Sequence, residues 1–452
     1  MTTATDTVAP TGGREERRRH ANEEAVRRIV TSEPVLVDVR PAGEVLPGMT
    51  PRTILTSGAP MDWAAYTGGQ RNAVIGAVLF EGLAATAEEA DARLASGDIR
   101  LAPCHDHGAV GSVSGVCSAS MPVLVVRDQA NGTTGHCRMN EGIARESLTF
   151  GVCNDAVLRQ MAHVRDVIAP TLAEAVRSVG GIPLKPIIRR ALNMGDDLHS
   201  RNIAASLIFR ARIQEALLAA RGVIDDRRAL GLSVFLTESD YFFLHLSMAA
   251  GKAAADAASG IPGSSVVTAM TVSEKEFALR LSGTGPRWFR HPLPPITSLP
   301  IKLFDGFTPD DLAFMGGEST ITETIGLGGM AAAAAMPLQD YAAGSPEGMV
   351  EQTDRMYRIT LAEHPVYRIP FLRFRGTPTG IDARLVADTG IPPVVHMGAS
   401  HRDGGHIGAG LFLPPLDPFR AALDALHTLD DTADTADTAD TADIPENPED
   451  RA

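Results

Sequence analysis

Apolar positions first fall into a helical rhythm at Asn22, where Ala25, Val26, Ile29 and Val30 recur at intervals of three and four through Thr31. The run Pro34–Val39 (PVLVDV), apolar but for Asp38, then reads as a buried strand. Asn72–Leu83 is an apolar, helix-like run, and Met121–Arg127 (MPVLVVR) is a second buried strand. Strands and helices in alternation predict an α/β unit.

The rhythm then changes. Residues 156–177, 186–194, 201–221 and 240–258 all carry helical spacing, which predicts a mostly helical middle. Gly260-Ile-Pro-Gly263 ends the last of these runs. Ser265–Val272 and Phe277–Ser282 follow as a β-hairpin, and further strand, glycine and helix signals include Met330–Met336 and Pro392–His396. The predicted fold class is therefore mixed α/β, with two α/β domains around a helical segment. The expected boundaries are a disordered leader at 1–20, a first α/β domain at 21–154, a helical segment at 155–260, a second α/β domain at 261–425 and a disordered acidic tail at 426–452. The tail carries Thr-Ala-Asp four times from Thr432 to Asp443, a composition too polar to bury an apolar face.

Charge changes the picture less than its total implies. The chain carries a formal −14, but residues 430–452 hold nine acids and one arginine, which leaves −6 for the rest. No basic face is evident, so nucleic-acid binding is not expected. No apolar run approaches the length that crosses a bilayer, and no apolar segment follows the basic residues near the start, so a cytoplasmic protein with no membrane contact is expected. The four cysteines, Cys104, Cys117, Cys137 and Cys153, include no CxxC pair, so free thiols and no bound metal are expected.

Five polar stretches carry more chemistry than turns require. In Pro103–Gly108 (PCHDHG), an extended backbone would point His105 and His107 to one face, suited to a base and a second donor. Met194–Asn202 (MGDDLHSRN) packs His199, Arg201 and Asn202 behind two aspartates, one of which can cap a helix. Ser319–Gly329 reads as an extended Thr-rich segment with Glu323, running into a turn at Gly326, Gly328 and Gly329 and then an Ala-rich helix. Such a turn can present N–H groups to an anion. Arg375–Asp382 (RGTPTGID) offers Arg375, Thr377, Thr379 and Asp382, and a guanidinium suits a carboxylate or phosphate. His396–Gly410 holds three histidines, His401 among them, and five glycines, the composition of a flexible site loop. For each stretch, helix capping, close packing or hydrogen-bonded loop histidines is the competing structural explanation.

These stretches, in this order, resemble the YlbE/AllG-like family of bacterial proteins. The shared motifs are PVLVDVRPAGEV at 34–45, the PCH-x-H loop at 103–107, MGD-x-x-H-x-RN at 194–202, GIPGSS at 260–265, TETIGLGG at 322–329 and FRGTPTGID at 374–382. Asp106 and Gly108 stand where the family pattern has a histidine and an asparagine, and His396 and His406 stand where amides are expected. The resemblance implies a three-part α/β architecture and a carbamoyltransferase-type enzyme or subunit, similar to oxamate carbamoyltransferase of ureide breakdown. Such an enzyme moves a carbamoyl group between phosphate and a small amide or amine acid, without a cofactor. It implies a small anionic substrate, carbamoyl phosphate or a carboxylated amide, and an oligomer with a succinyl-CoA-synthetase-like partner subunit. On that reading His105, His107 and His199 are the candidate catalytic residues. Arg201, Asn202, Glu323, Gly326, Gly328, Gly329, Arg375, Thr377, Thr379, Asp382 and His401 are the candidates for binding. The alternatives are a non-catalytic subunit that binds small acids and a metal-dependent amide hydrolase using the His105/His107 pair. One cleft shared by residues 105–107, 197–202 and 375–382 is expected, because donors this dense are costly to bury unpaired.

Overall fold

A computed structural model describes residues 13–142, 146–342 and 344–442. The fold is mixed α/β. Strand Pro34–Pro41 lies antiparallel to Pro122–Asp128 in a five-stranded sheet, in the order 109–110, 134–138, 122–128, 34–41, 182–183. Strand Thr53–Thr56 pairs in parallel with Arg100–Pro103. The expected hairpin is present as Val267–Val272 against Glu276–Leu281, extended by Phe289–Pro292. A four-stranded sheet is built on the hairpin Val395–His401 and His406–Phe412. Strands Thr360–Ile369 and Arg375–Ile381 form a separate ribbon.

The helix Phe242–Ala257 is the axle of the molecule. It is mostly apolar, and all of its residues but Asp256 are buried. It packs on strand Thr134–Arg138 at Gly135, where an added Cβ would lie 2.1 Å from the Ala249 carbonyl oxygen. Only glycine permits that approach. Lys252 on this helix is buried by pairing with Asp256 at 2.7 Å and donating to the His105 carbonyl at 3.2 Å. The largest apolar cluster draws on Leu36, Phe243 and Ile325, so distant parts of the chain share one core.

The expected middle helices are present, with one addition. Asp155–Ser178 is interrupted by a π turn at Val164–Ile168, and Lys185–Leu192, Ile203–Ala219 and Phe242–Ala257 follow. A further helix, Asp226–Glu238, carries no strong apolar stripe and is set by its cap, where Asp225 accepts from Arg228 N.

Both termini depart from expectation. A helix spans Arg14–Thr31, beginning inside the expected leader, and another spans Asp417–Ala442, well into the expected tail. The two support each other. Arg18 is buried, 2.7 Å from Asp430 and 3.3 Å from His427, and Arg14 pairs with Asp431. Phe419, Ala422 and Leu426 bury one face of the second helix. Composition alone hid these partners, because they come from opposite ends of the sequence. The expectation for 1–12 and 443–452 lies outside the described residues.

Candidate functional site

The Asp196–Asn202 turn is organised by its own carboxylates. Asp197 accepts from the backbone N–H groups of His199 at 3.1 Å and Arg201 at 2.7 Å. Asp196 accepts from Ala205 N at 2.8 Å, at the start of helix Ile203–Ala219. Burial pushes the Asp196 carboxyl up to about 6, against the pull of those N–H groups. Leu198 takes a left-handed backbone, φ 69°, which closes the turn and turns His199 inward.

Two histidine–carboxylate pairs cross between this turn and distant parts of the chain. His199 Nδ1 lies 2.8 and 3.0 Å from the two oxygens of Glu323. His396 Nδ1 lies 2.6 Å from Asp197 Oδ2. Glu323 also accepts from Gly329 N at 2.8 Å and His396 N at 3.2 Å, and Gly328 N donates to the Asp197 carbonyl at 2.8 Å. One N–H of the turn, that of Gly329, thus does hold an anion, and that anion is the chain's own Glu323. Gln352 Nε2 donates to the Gly329 carbonyl at 3.0 Å, which points the same amide nitrogen at His396 Nε2, 3.4 Å away. Nε2 is then an acceptor, and Nδ1 is left to donate to Asp197.

The electrostatics follow from burial and pairing. Burial opposes charge on His199, but the Glu323 carboxylate outweighs it and holds the imidazole above its ordinary pKa. Burial would likewise raise Asp197, but His396 and His199 keep it below the ordinary carboxylate range.

His199 Nδ1 is committed to Glu323, so Nε2 is the ring atom left to the adjoining cavity, about 100 Å³ in volume. Ser112, Asn140, Thr149, Tyr241 and His245 line the same space. A second compartment, about 180 Å³, is lined by His396 and Tyr341. Ser200, Tyr241, His406 and Ala409 border both, so the two form one site between the segments at 112–150, 199–245 and 396–410. His406 stacks on Phe150 at 4.9 Å. His245 is buried with Nδ1 unpartnered, and burial, aided by Arg138, pushes its pKa down to about 4. The site therefore presents one imidazole biased toward the cation and one held neutral.

The candidate residues divide. His199, Arg201, Asn202, Glu323, Gly326, Gly328 and Gly329 belong to this one assembly. Arg201 Nε donates to the Gly195 carbonyl at 3.0 Å, and Asn202 Nδ2 to the His199 carbonyl at 2.7 Å. Thr379 packs behind the turn, its hydroxyl 2.5 Å from where a Cβ on Gly326 would lie, and donates to the Thr377 carbonyl at 3.0 Å.

Several other candidates point elsewhere. Residues 104–107 form a 3-10 turn rather than an extended segment, so His105 and His107 do not share a face. His105 packs edge-on to Trp288 with Nε2 unpartnered, and His107 Nδ1 lies 2.6 Å from the Pro47 carbonyl. Arg375 is exposed, stacked on Tyr357 and paired with Glu363 at 2.6 Å. Asp382 caps helix Ala383–Thr389 and accepts from Ser265 at 2.8 Å. His401 is half-buried beside Asp311, at 3.7 Å. The single cleft shared by 105–107, 197–202 and 375–382 is not formed. The Ser319–Gly329 stretch is helical at Ile321–Thr324, with a 3-10 segment at Gly328–Ala334, and the expected flexible loop at 396–410 is a β-hairpin with a register shift at Ala399/Ser400.

Sequence reasoning passed over Asp197 and His396 as a pair, and Tyr241 and His245. The last two lie within an apolar run, where a histidine reads as core.

The profile of the family described as oxamate carbamoyltransferase subunit AllG matches residues 99–319. The AllG subunit of Escherichia coli is 37% identical over 411 residues, 90% of this chain and 97% of the relative. The chain belongs to the AllG family. A second family relative, the uncharacterized Escherichia coli protein YahG, is 38% identical over 405 residues, 89% of this chain and 84% of its own length. A crystal structure of a conserved protein of unknown function from Enterococcus faecalis has a TM-score of 0.89 at 37% identity, covering 93% of this chain and all of that one. The profile stops at 319, so Glu323 and His396, which complete the site, lie beyond it.

Proposed function

We propose that the chain is a subunit of a carbamoyltransferase-type enzyme, and that the cavity at His199 holds a small anionic carbamoyl compound. The observation that carries this reading is His199, buried against Glu323 and lining a cavity, in a chain 37% identical to an oxamate carbamoyltransferase subunit. Carbamoyl transfer asks for an anion held in place, a polarised carbonyl and a route for one proton. The acceptor's nitrogen, an amide nitrogen in oxamate, bonds to the carbamoyl carbon. The bond from that carbon to the phosphate oxygen breaks, phosphate leaves with the bonding pair, and the proton on the attacking nitrogen passes to a base. His199, biased toward the cation, is suited to the anionic oxygen. His245, kept neutral, is suited to accept from an N–H group. The relative's name as a subunit supports work within a multi-subunit complex.

The test is phosphate release from carbamoyl phosphate in the presence of oxamate, by the chain alone and by its native complex. His199→Ala should lower turnover about 10²–10³-fold, the loss typical of one donor to a developing negative charge. Unchanged turnover in that variant would remove His199 from the chemistry. Turnover by neither preparation would remove the carbamoyltransferase reading itself.

A further inference from the structure

We propose that the groove between helices Lys185–Leu192 and Ile203–Ala219 and the ribbon 360–381 is where a companion subunit docks, through an acidic segment bearing apolar side chains. The groove measures about 580 Å³ and lies apart from the candidate site, with no lining residue in common. Its floor is apolar, with Ile182, Ile187, Ile208 and Val366. Arg189, Arg190, Arg212 and Arg368 line it, with Glu215 the one acidic side chain. Arg212 pairs with Glu215 at 2.9 Å, whereas exposed Arg189 and Arg190 form no ion pair among the described residues.

Uncompensated guanidiniums gathered in one groove of a chain with net charge −14 are a local field, and its complement is a carboxylate-bearing surface. An apolar floor favours a folded or folding protein segment over a bare polyanion, since nucleic acid and lipid headgroups offer no apolar side chains to fill it. Arginine and aromatic residues also predominate at the centres of protein interfaces.

The rim supplies a second observation. Phe374 borders the groove with 55% of its surface exposed, and Phe371 beside it is 63% exposed. Arg373 and Phe374 both sit in the left-handed region, φ 55° and 61°, without being glycine. That strain holds an aromatic ring out in water, where the chain's own core gains nothing from it. A partner that covers Phe374 would make use of it.

The proposal rests on the subunit reading only in requiring a companion. The full chain is purified with its native companion, identified by its constant stoichiometry, and the two are then separated and recombined. The variants are Arg189→Glu with Arg190→Glu, and Phe374→Ser, all at exposed positions. Each should weaken association on the order of tenfold or more, with unchanged thermal melting of the chain alone. Association of the unaltered chain should fall steeply with salt. A companion carrying Glu→Lys changes in its docking segment should recover binding to the Arg→Glu variant. A companion that binds all variants as tightly as the unaltered chain would overturn the docking site and leave the subunit reading intact. A chain that purifies with no stoichiometric companion would overturn both. Anionic vesicles or RNA held through Arg189 and Arg190 more tightly than the companion would overturn the protein partner.

Discussion

His396 Nδ1 and Asp197 Oδ2 stand 2.6 Å apart, both side chains almost wholly buried, across a separation of 199 residues. That contact ties the last hairpin to the turn ahead of helix Ile203–Ala219. With His199–Glu323 it makes a crossed arrangement, in which each segment supplies one imidazole or one carboxylate to the other.

Removing the imidazole leaves the buried Asp197 carboxylate short of a donor. His396→Ala should therefore cost about 1.5–3 kcal/mol in denaturant unfolding, the range for a lost hydrogen bond to a charged group. The double variant Asp197→Ala/His396→Ala should cost clearly less than the sum of the two single variants. Strict additivity would show that the two side chains do not act together.

The pairing also sets a pH window. His199 is held above its ordinary value, so its contribution is fully present below about pH 6.5 and is lost as pH rises through its higher folded pKa. Asp197 is held below its ordinary value, so its contribution is present above the usual carboxylate range and is lost on acidification. The difference in melting temperature between the unaltered chain and His199→Gln should therefore narrow as pH rises from about 6 to about 9. A difference that widens would mean His199 is neutral in the fold.

Glu318 runs the other way from Asp197. It is fully buried and accepts from Gly111 N at 2.9 Å and Thr271 Oγ1 at 3.2 Å. Burial raises its carboxyl to about 8. The folded state then holds a proton that the unfolded state has released, so stability falls as pH rises from the ordinary carboxyl range toward about 8. Glu318→Gln keeps the shape without the proton and should flatten that decline in melting temperature. An unchanged slope would show that another group titrates there.

The terminal helices should prove structural. Truncation after residue 428 removes Asp430 and strands Arg18, which is buried against it. The expected loss is about 1–3 kcal/mol, the cost of leaving such a group unsatisfied. Asp430→Asn should lose less, since an amide still accepts. Melting unaffected by the truncation would mean that Arg18 finds water or another acceptor.

Elements whose burial is local were legible in the sequence. The strand Pro34–Pro41 and the hairpin at 267–281 announce themselves by apolar runs bounded by glycine and proline. Helix Asp226–Glu238 did not, because its stripe is weak and its cap is a single aspartate. Of the site, the turn at 194–202 and the glycines at 326–329 were readable as dense polar chemistry. Their partners were not. Nothing near Asp197 in sequence names His396, and nothing near Glu323 names His199. Arg375 looked like an anion clamp because a guanidinium beside threonines has that composition, whereas its actual partners, Glu363 and Tyr357, come from the neighbouring strand and helix.

Asp197 takes its side-chain partner from His396, so that pairing waits for a segment near the end of the chain, whereas Glu323 already has His199 and Gly329. On the ribosome, a chain halted before residue 396 already carries both Asp197 and Glu323 but not the hairpin that closes over them. Its core must then either expel the Asp197 carboxylate or stay open around it. Messages cut short should therefore yield products that proteases clear, rather than smaller proteins with part of the activity.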